Sequence, residues 1–126
     1  RAEVDVRLAA DGQVEHLERS RRDGARRVVG RGLCPSDDHP FGMSGWDERR
    51  VIGTVVGSVG RVVVDRVVVE LSDESSRRCS LRPIDGADAS WFVVELPEAT
   101  RPRLAVAESR DGTPLGVLRF HDRLLR

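Results

Sequence analysis

Apolar and polar residues alternate with a period of two along most of this chain, the spacing that sends successive side chains to opposite faces of a strand. Val4-Asp-Val-Arg-Leu8 has the pattern first, Asp11-Gly12 supplies a turn, and residues 14–17 resume it, which predicts a β-hairpin. Residues 18–27 are almost wholly charged or small, with Asp23-Gly24 as a turn signal among them, and read as an exposed connection. Val28 and Val29 open a short strand toward Cys34-Pro35. Residues 36–47, rich in Asp, Gly and Pro, read as a loop that Trp46 closes over the core.

The pattern is sharper over residues 51–120 than over residues 1–45. Val51, Ile52, Val55 and Val56 lead through Gly57-Ser-Val-Gly60 into a valine-dominated run ending at Leu71, and β-branched side chains suit a pleated, half-buried surface. Val67, Val69 and Leu71 share one face and Val68 and Glu70 the other, while Asp65-Arg66 breaks the register. Residues 72–76 form a turn, and Cys79 and Leu81 share a face in the returning strand. A polar loop over 84–90 precedes the strand Trp91-Phe-Val-Val-Glu-Leu96, which Pro97 stops. Leu104 and Val106 align in a following strand, Asp111-Gly112 turns the chain, and residues 115–120 form the last strand. Residues 121–126 are an uncommitted tail.

About seven to nine short strands with frequent turns predict an all-β fold, an antiparallel β-sandwich of Ig-like type, with a small β-barrel or an α+β fold as alternatives. The only segment suited to a helix is 15–27, whose apolar positions are too few for a buried stripe. At 126 residues the chain suits one domain spanning 1–126.

All 21 cationic side chains are Arg, and Lys, Asn and Tyr are absent. Their codons are AT-rich, so the bias points to a GC-rich genome of the actinobacterial kind and makes arginine partly a default cation. The formal net charge is zero, so any binding to nucleic acid or an anionic surface must be local. No apolar run approaches the roughly 18–20 residues that span a bilayer. The first residue is Arg1, which leaves room for a removed signal peptide or anchor. Cys34 and Cys79 lie outside C-x-x-C and zinc spacings. Either they form a disulfide, closing a loop of about 46 residues and stabilising by roughly 4 kcal/mol, or they stay reduced.

Catalytic and metal chemistry find little to work with. His16, His39 and His121 are scattered, and Asp37-Asp38-His39 reads as a solvated turn whose carboxylates bond backbone amides. Ser44 in Gly42-Met-Ser-Gly45 lacks the strand-to-helix elbow of a nucleophile, and Asp73-Glu74 sits in a solvated turn. Gly53-Thr-Val-Val-Gly57 has no following Gly-Lys-Ser/Thr, so no phosphate loop is present. The expectation is no enzyme, no cofactor and no metal.

The strongest electrostatic feature is residues 19–31, where Arg19, Arg21, Arg22, Arg26, Arg27 and Arg31 face one Asp23. Guanidinium forks suit an acidic protein or polymer, or nucleic-acid phosphates, and a solvated loop is the bland alternative. No aromatic residue interleaves with these arginines to stack on bases. Trp46 and Trp91 are the aromatic binding candidates. Trp91 and Phe92 point to opposite faces, which predicts one in the core and leaves the other as a possible exposed anchor.

Val51-Ile-Gly-Thr-Val-Val-Gly, Val64-Asp-Arg-Val-Val-Val-Glu-Leu-Ser-Asp, Trp91-Phe-Val-Val-Glu-Leu-Pro and Ala105-Val-Ala-Glu-Ser-Arg-Asp-Gly112 together resemble small β-rich domains of uncharacterised actinobacterial proteins, secreted or membrane-attached. Such domains commonly carry glycine where this chain has Glu74 or Ser75. The resemblance covers about residues 46–116 and implies an extracytoplasmic β-sandwich. The functional expectation is a noncatalytic interaction or accessory domain outside the cytoplasm, its partner another protein or an envelope component. The alternative is a cytoplasmic nucleic-acid-binding or regulatory domain working through residues 19–31.

Overall fold

The computed structural model describes residues 3–120, so the 121–126 tail with His121 lies outside them. The described chain is all-β: three antiparallel sheets of three or four strands and one two-stranded ribbon, none closed into a barrel. It has no helix among the described residues. The α+β alternative fails because residues 15–27 are two strands and a turn.

The first sheet is β1 (Glu3–Leu8), β2 (Val14–Arg19) and β3 (Arg26–Gly32), paired in that order. The expected first hairpin forms, with Val6 opposite His16 and Leu8 opposite Val14. The charged connection is shorter than expected, since strand pairing runs out to Arg19 opposite Arg26. A bulge follows His16: Gly30 pairs with His16 and Val28 with Leu17, which leaves Val29 as the extra residue.

The second sheet contains β4 (Phe41–Trp46), β5 (Arg50–Val56), β10 (Arg82–Pro83) and β11 (Ala89–Glu95), in the order β10-β11-β5-β4. The third contains β8 (Arg66–Leu71), β9 (Ser76–Cys79), β12 (Pro102–Glu108) and β13 (Pro114–Arg119), in the order β13-β12-β8-β9. The ribbon β6 (Ser58–Val59) and β7 (Val62–Val63) links β5 to β8. Residues 41–46, expected to be loop, are a strand.

Two apolar clusters lie on opposite faces of the second sheet. Val51, Val55, Phe92 and Val94 meet Val67, Val69, Leu71 and Ala105 of the third sheet. Ile52, Ala89 and Trp91 meet Val6 and Val14 of the first. The second sheet is therefore the middle layer, and β5 is buried continuously from Val51 to Val56 instead of on alternate residues. Continuous burial is what a strand covered on both faces requires. In β8 burial alternates, as expected for a strand with one solvated face. Gly53 fits this packing because a Cβ there would lie 2.6 Å from Phe92 Cζ. Phe92 in turn stands edge-on to Phe41, the ring centres 6.3 Å apart.

The same layering corrects two expectations. Cys34 and Cys79 are free thiols. Cys79 belongs to the cluster between the second and third sheets and Cys34 packs against the other cluster, so the middle sheet separates them. Burial pushes the Cys79 thiol up to about 12 and also raises Cys34. Trp91 is no exposed anchor: it is 5% exposed, Phe92 is 1% exposed, and the Arg82 guanidinium caps the indole at 5.1 Å.

Candidate functional site

Five of the six predicted arginines converge on the β2–β3 hairpin. Arg19 ends β2, Arg21 and Arg22 lie in the turn, and Arg26 and Arg27 begin β3, all of them exposed. The turn is built locally: Asp23 accepts the Ala25 amide at 2.9 Å and Ser20 Oγ accepts the Arg22 amide at 3.2 Å. The Ala25 amide is the largest influence holding the Asp23 carboxyl below its usual range, with Arg27 contributing. Arg19 faces Arg26 directly across the strands, a like-charge pairing that disfavours the hairpin by itself. Arg19, Arg21, Arg22 and Arg26 make no ion pair with any described residue.

Arg31 has a different role. Arg7, Glu15 and Arg31 occupy one row across β1, β2 and β3. Glu15 accepts from Arg7 Nε at 2.9 Å and from both Arg31 Nε, at 2.9 Å, and Arg31 Nη2. These bonds, Arg31 first and Arg7 second, hold the Glu15 carboxyl below its ordinary value. Arg31 is thus a fastener of the sheet and is not available in the way its five neighbours are.

Beside the hairpin, β3 and β4 diverge around a cleft of about 360 Å³. They are pinned at one end, where the Met43 amide donates to Leu33 O at 3.2 Å and Gly32 is so close that a Cβ would lie 2.7 Å from Met43 Cβ. Toward the other end Val29 and Gly30 stand on one wall and Ser44 and Trp46 on the other, with His16 and Ile52 between them. Trp46, placed over the core by sequence, is half-buried against the main cluster and also lines this cleft.

His16 is the chemically distinctive residue there. Its side chain is 12% exposed, and its Nε2 is buried without a hydrogen-bond partner among the described residues. Glu18, two residues on and on the same face of β2, is 3.9 Å from Nε2 but is bound to Arg50 at 2.6 Å. Desolvation lowers the His16 pKa below its ordinary 6.5; Glu18 and Asp47 oppose this and Arg50 adds to it. Ser44 shares the cleft, but its hydroxyl donates to Gly42 O at 3.2 Å and not to His16.

The remaining candidates are structural. Asp37 accepts the Gly60 amide at 2.5 Å and so ties the 36–39 turn to the β6–β7 ribbon, while Asp73 accepts the Ser75 amide at 3.0 Å within its own turn. Among the described residues no three His, Cys, Asp or Glu side chains gather as metal ligands. No described helix is long and apolar enough to cross a membrane.

Sequence reasoning found the arginines and Trp46 but not the His16–Glu18–Arg50 group. Half of its signal was present, since Val14, His16 and Glu18 alternate onto one strand face. Arg50, 32 positions beyond Glu18, had no such mark. Among known proteins, no family model, curated protein or solved structure matches this chain.

Proposed function

We propose that this chain is a noncatalytic interaction module whose β2–β3 hairpin holds an acidic protein surface. The observation that carries this reading is the gathering of Arg19, Arg21, Arg22 and Arg26 on one exposed hairpin without ion-pair partners among the described residues. Holding cations against one another disfavours the free hairpin, and an acidic partner relieves that repulsion. A protein partner is favoured over nucleic acid because the exposed neighbours of these arginines are Val28 and Val29, at 43% and 45%, and not stacking aromatics. The noncatalytic part is supported by Ser44 and Cys79, whose hydroxyl and thiol are engaged or buried away from a base.

The scaffold belongs to the same proposal. The orders β4-β5-β11-β10 and β13-β12-β8-β9 match the A-B-E-D and G-F-C-C′ arrangement of Ig-like sandwiches, with the β1–β3 sheet added outside the first. An extracytoplasmic setting rests on the resemblance to secreted actinobacterial domains alone, because the free thiols remove the disulfide argument for it.

The test is binding of polyglutamate to the protein and to a variant with Arg21, Arg22, Arg26 and Arg27 replaced by Ala. The variant should bind at least tenfold more weakly with a flatter salt dependence. Equal affinity of the two proteins removes the reading. Tighter binding of a short DNA duplex than of polyglutamate transfers it to nucleic acid.

A further inference from the structure

We propose that the chain self-associates through β1, which pairs antiparallel with β1 of a second copy about a two-fold axis at Val6. The proposal goes beyond the hairpin reading and does not depend on it.

β1 ends the first sheet, and no described strand lies on its free side. The hairpin ladder fixes which backbone groups face that side. The Ala9 amide donates to Gln13 O, in register with Arg7 opposite Glu15 and Asp5 opposite Leu17, so the odd-numbered residues bond β2. Val4, Val6 and Leu8 therefore turn their amides and carbonyls outward. The Val6 amide agrees, since it donates to the carboxylate of its neighbour, Asp5 Oδ1, at 2.8 Å. β1 also lacks the features that blunt an edge: its six residues include no proline, glycine or bulge. The other edges carry them. β3 begins with Arg26-Arg27 and is bulged, β4 holds Gly42 and Gly45 and is irregular, β9 centres on Arg77-Arg78, and β10 and β13 contain Pro83 and Pro114.

The side chains of β1 select a second copy and one register. Backbone pairing sets outward residue against outward residue, which over most of the strand allows Val4 opposite Val6, Val6 opposite Val6, or Val6 opposite Leu8. The first places Asp5 against Asp5 and the last Arg7 against Arg7. The middle one places Asp5 of each copy against Arg7 of the other, Val6 against Val6 and Val4 against Leu8. The row Arg31, Glu15, Arg7 then continues into Asp5 of the second copy with its signs alternating. Arg7 gives Nε to Glu15 at 2.9 Å, and its two terminal amino groups bond no described residue, so the guanidinium can hold both carboxylates. The Val6 amide passes from Asp5 to the Val6 carbonyl of the other copy, which frees Asp5 for Arg7. On the inner face, buried Val6 and half-buried Val4 and Leu8 meet their counterparts, so the smaller core runs across the axis.

Such pairing makes about six backbone hydrogen bonds over a small contact, which belongs to the weak, transient class of interface. β3 stays at each outer end of the joined sheet, so both arginine hairpins remain open.

Sedimentation equilibrium between about 1 μM and 1 mM tests this on the protein, on Asp5→Arg, on Arg7→Asp, on their equimolar mixture and on Val4→Pro. The mass of the parent should rise toward that of a dimer. Each charge variant alone puts like charges at both contacts and should associate at least tenfold more weakly. The mixture should recover the dimer, because each contact again joins opposite charges. Val4→Pro removes an outward amide, leaves the β2 ladder intact and should weaken association as well. Thermal melting verifies folding, and Val4→Pro carries the test if a charge variant does not fold. A parent that stays monomeric overturns the proposal, as does a dimer that Asp5→Arg and Val4→Pro leave unchanged. A mixture of two folded charge variants that stays monomeric overturns it too.

Discussion

The β1–β3 sheet and the two four-stranded sheets show how one chain can hold strands together in two ways. Between the larger sheets lie Val55, Val67, Val69 and Leu71, all 0% exposed, and a buried aromatic pair. The first sheet docks through fewer side chains, chiefly Val6 and Val14, and its other row is a ladder of Arg7, Glu15 and Arg31. Beyond that ladder the β2–β3 hairpin is exposed along 21–29. Apolar burial makes a rigid scaffold, while the added sheet combines a small core with solvated charge. Segments with few buried contacts are those that open or rearrange most readily, so the layer nominated for binding is also the layer least firmly held.

The largest expected effect tests that division directly. Phe92→Ala should lower unfolding free energy by about 3–5 kcal/mol, since it empties the centre of the main core. Val14→Ala removes two methyl-sized groups from the smaller core and should cost about 2 kcal/mol. Urea unfolding gives both totals, and hydrogen exchange locates them. Phe92→Ala should accelerate exchange in every strand, Val14→Ala mainly in β1, β2 and β3. If Val14→Ala accelerates β5, β8 and β12 equally, the two regions are one cooperative unit and the distinction fails.

These strands were legible where period-two alternation met a turn dipeptide. The first hairpin and the β12–β13 pair have both, at Asp11-Gly12 and Asp111-Gly112, and both formed. β4 was illegible because Gly42 looks like loop. In the fold it is a close approach, where a Cβ would meet Leu33 O at 2.5 Å and Thr54 Oγ1 at 2.7 Å. Alternation places Trp91 and Phe92 on opposite faces but cannot tell that a third layer covers the second one. That depends on where residues 1–32 dock. The arginine cluster was legible as composition; the cleft was not, since it is made where β3 and β4 diverge.

A middle-sized effect should separate the regions by pH. The His16 pKa lies below its value in the unfolded chain, so the unfolded chain takes up the proton first. The docking of β1–β3 is at full strength above about pH 6.5 and weakens as the pH falls below that value. Hydrogen exchange in β1–β3 should quicken between pH 7.5 and 5.5, after correction for intrinsic rates, while β8 and β12 change little. His16→Met, apolar and flexible enough to fill the same space, should abolish the difference. A pH response that survives this substitution assigns the titration to another group and removes His16 from the account.

The smallest effect belongs to the scaffold alone. Glu74, in the turn between β8 and β9, has φ 70°, a left-handed conformation in which its Cβ is crowded. A non-glycine residue there costs about 1–2 kcal/mol, and glycine loses about 0.5–1 kcal/mol more chain entropy on folding. Glu74→Gly should therefore stabilise by about 0.5–1 kcal/mol. The gain should appear in urea unfolding of the larger sheets and leave β1–β3 exchange at the rate set by local opening. No gain would mean that the Glu74 side chain contributes as much as its backbone costs. Faster or slower local opening of β1–β3 would mean that strain in the scaffold reaches the added layer, and the two regions could no longer be treated separately.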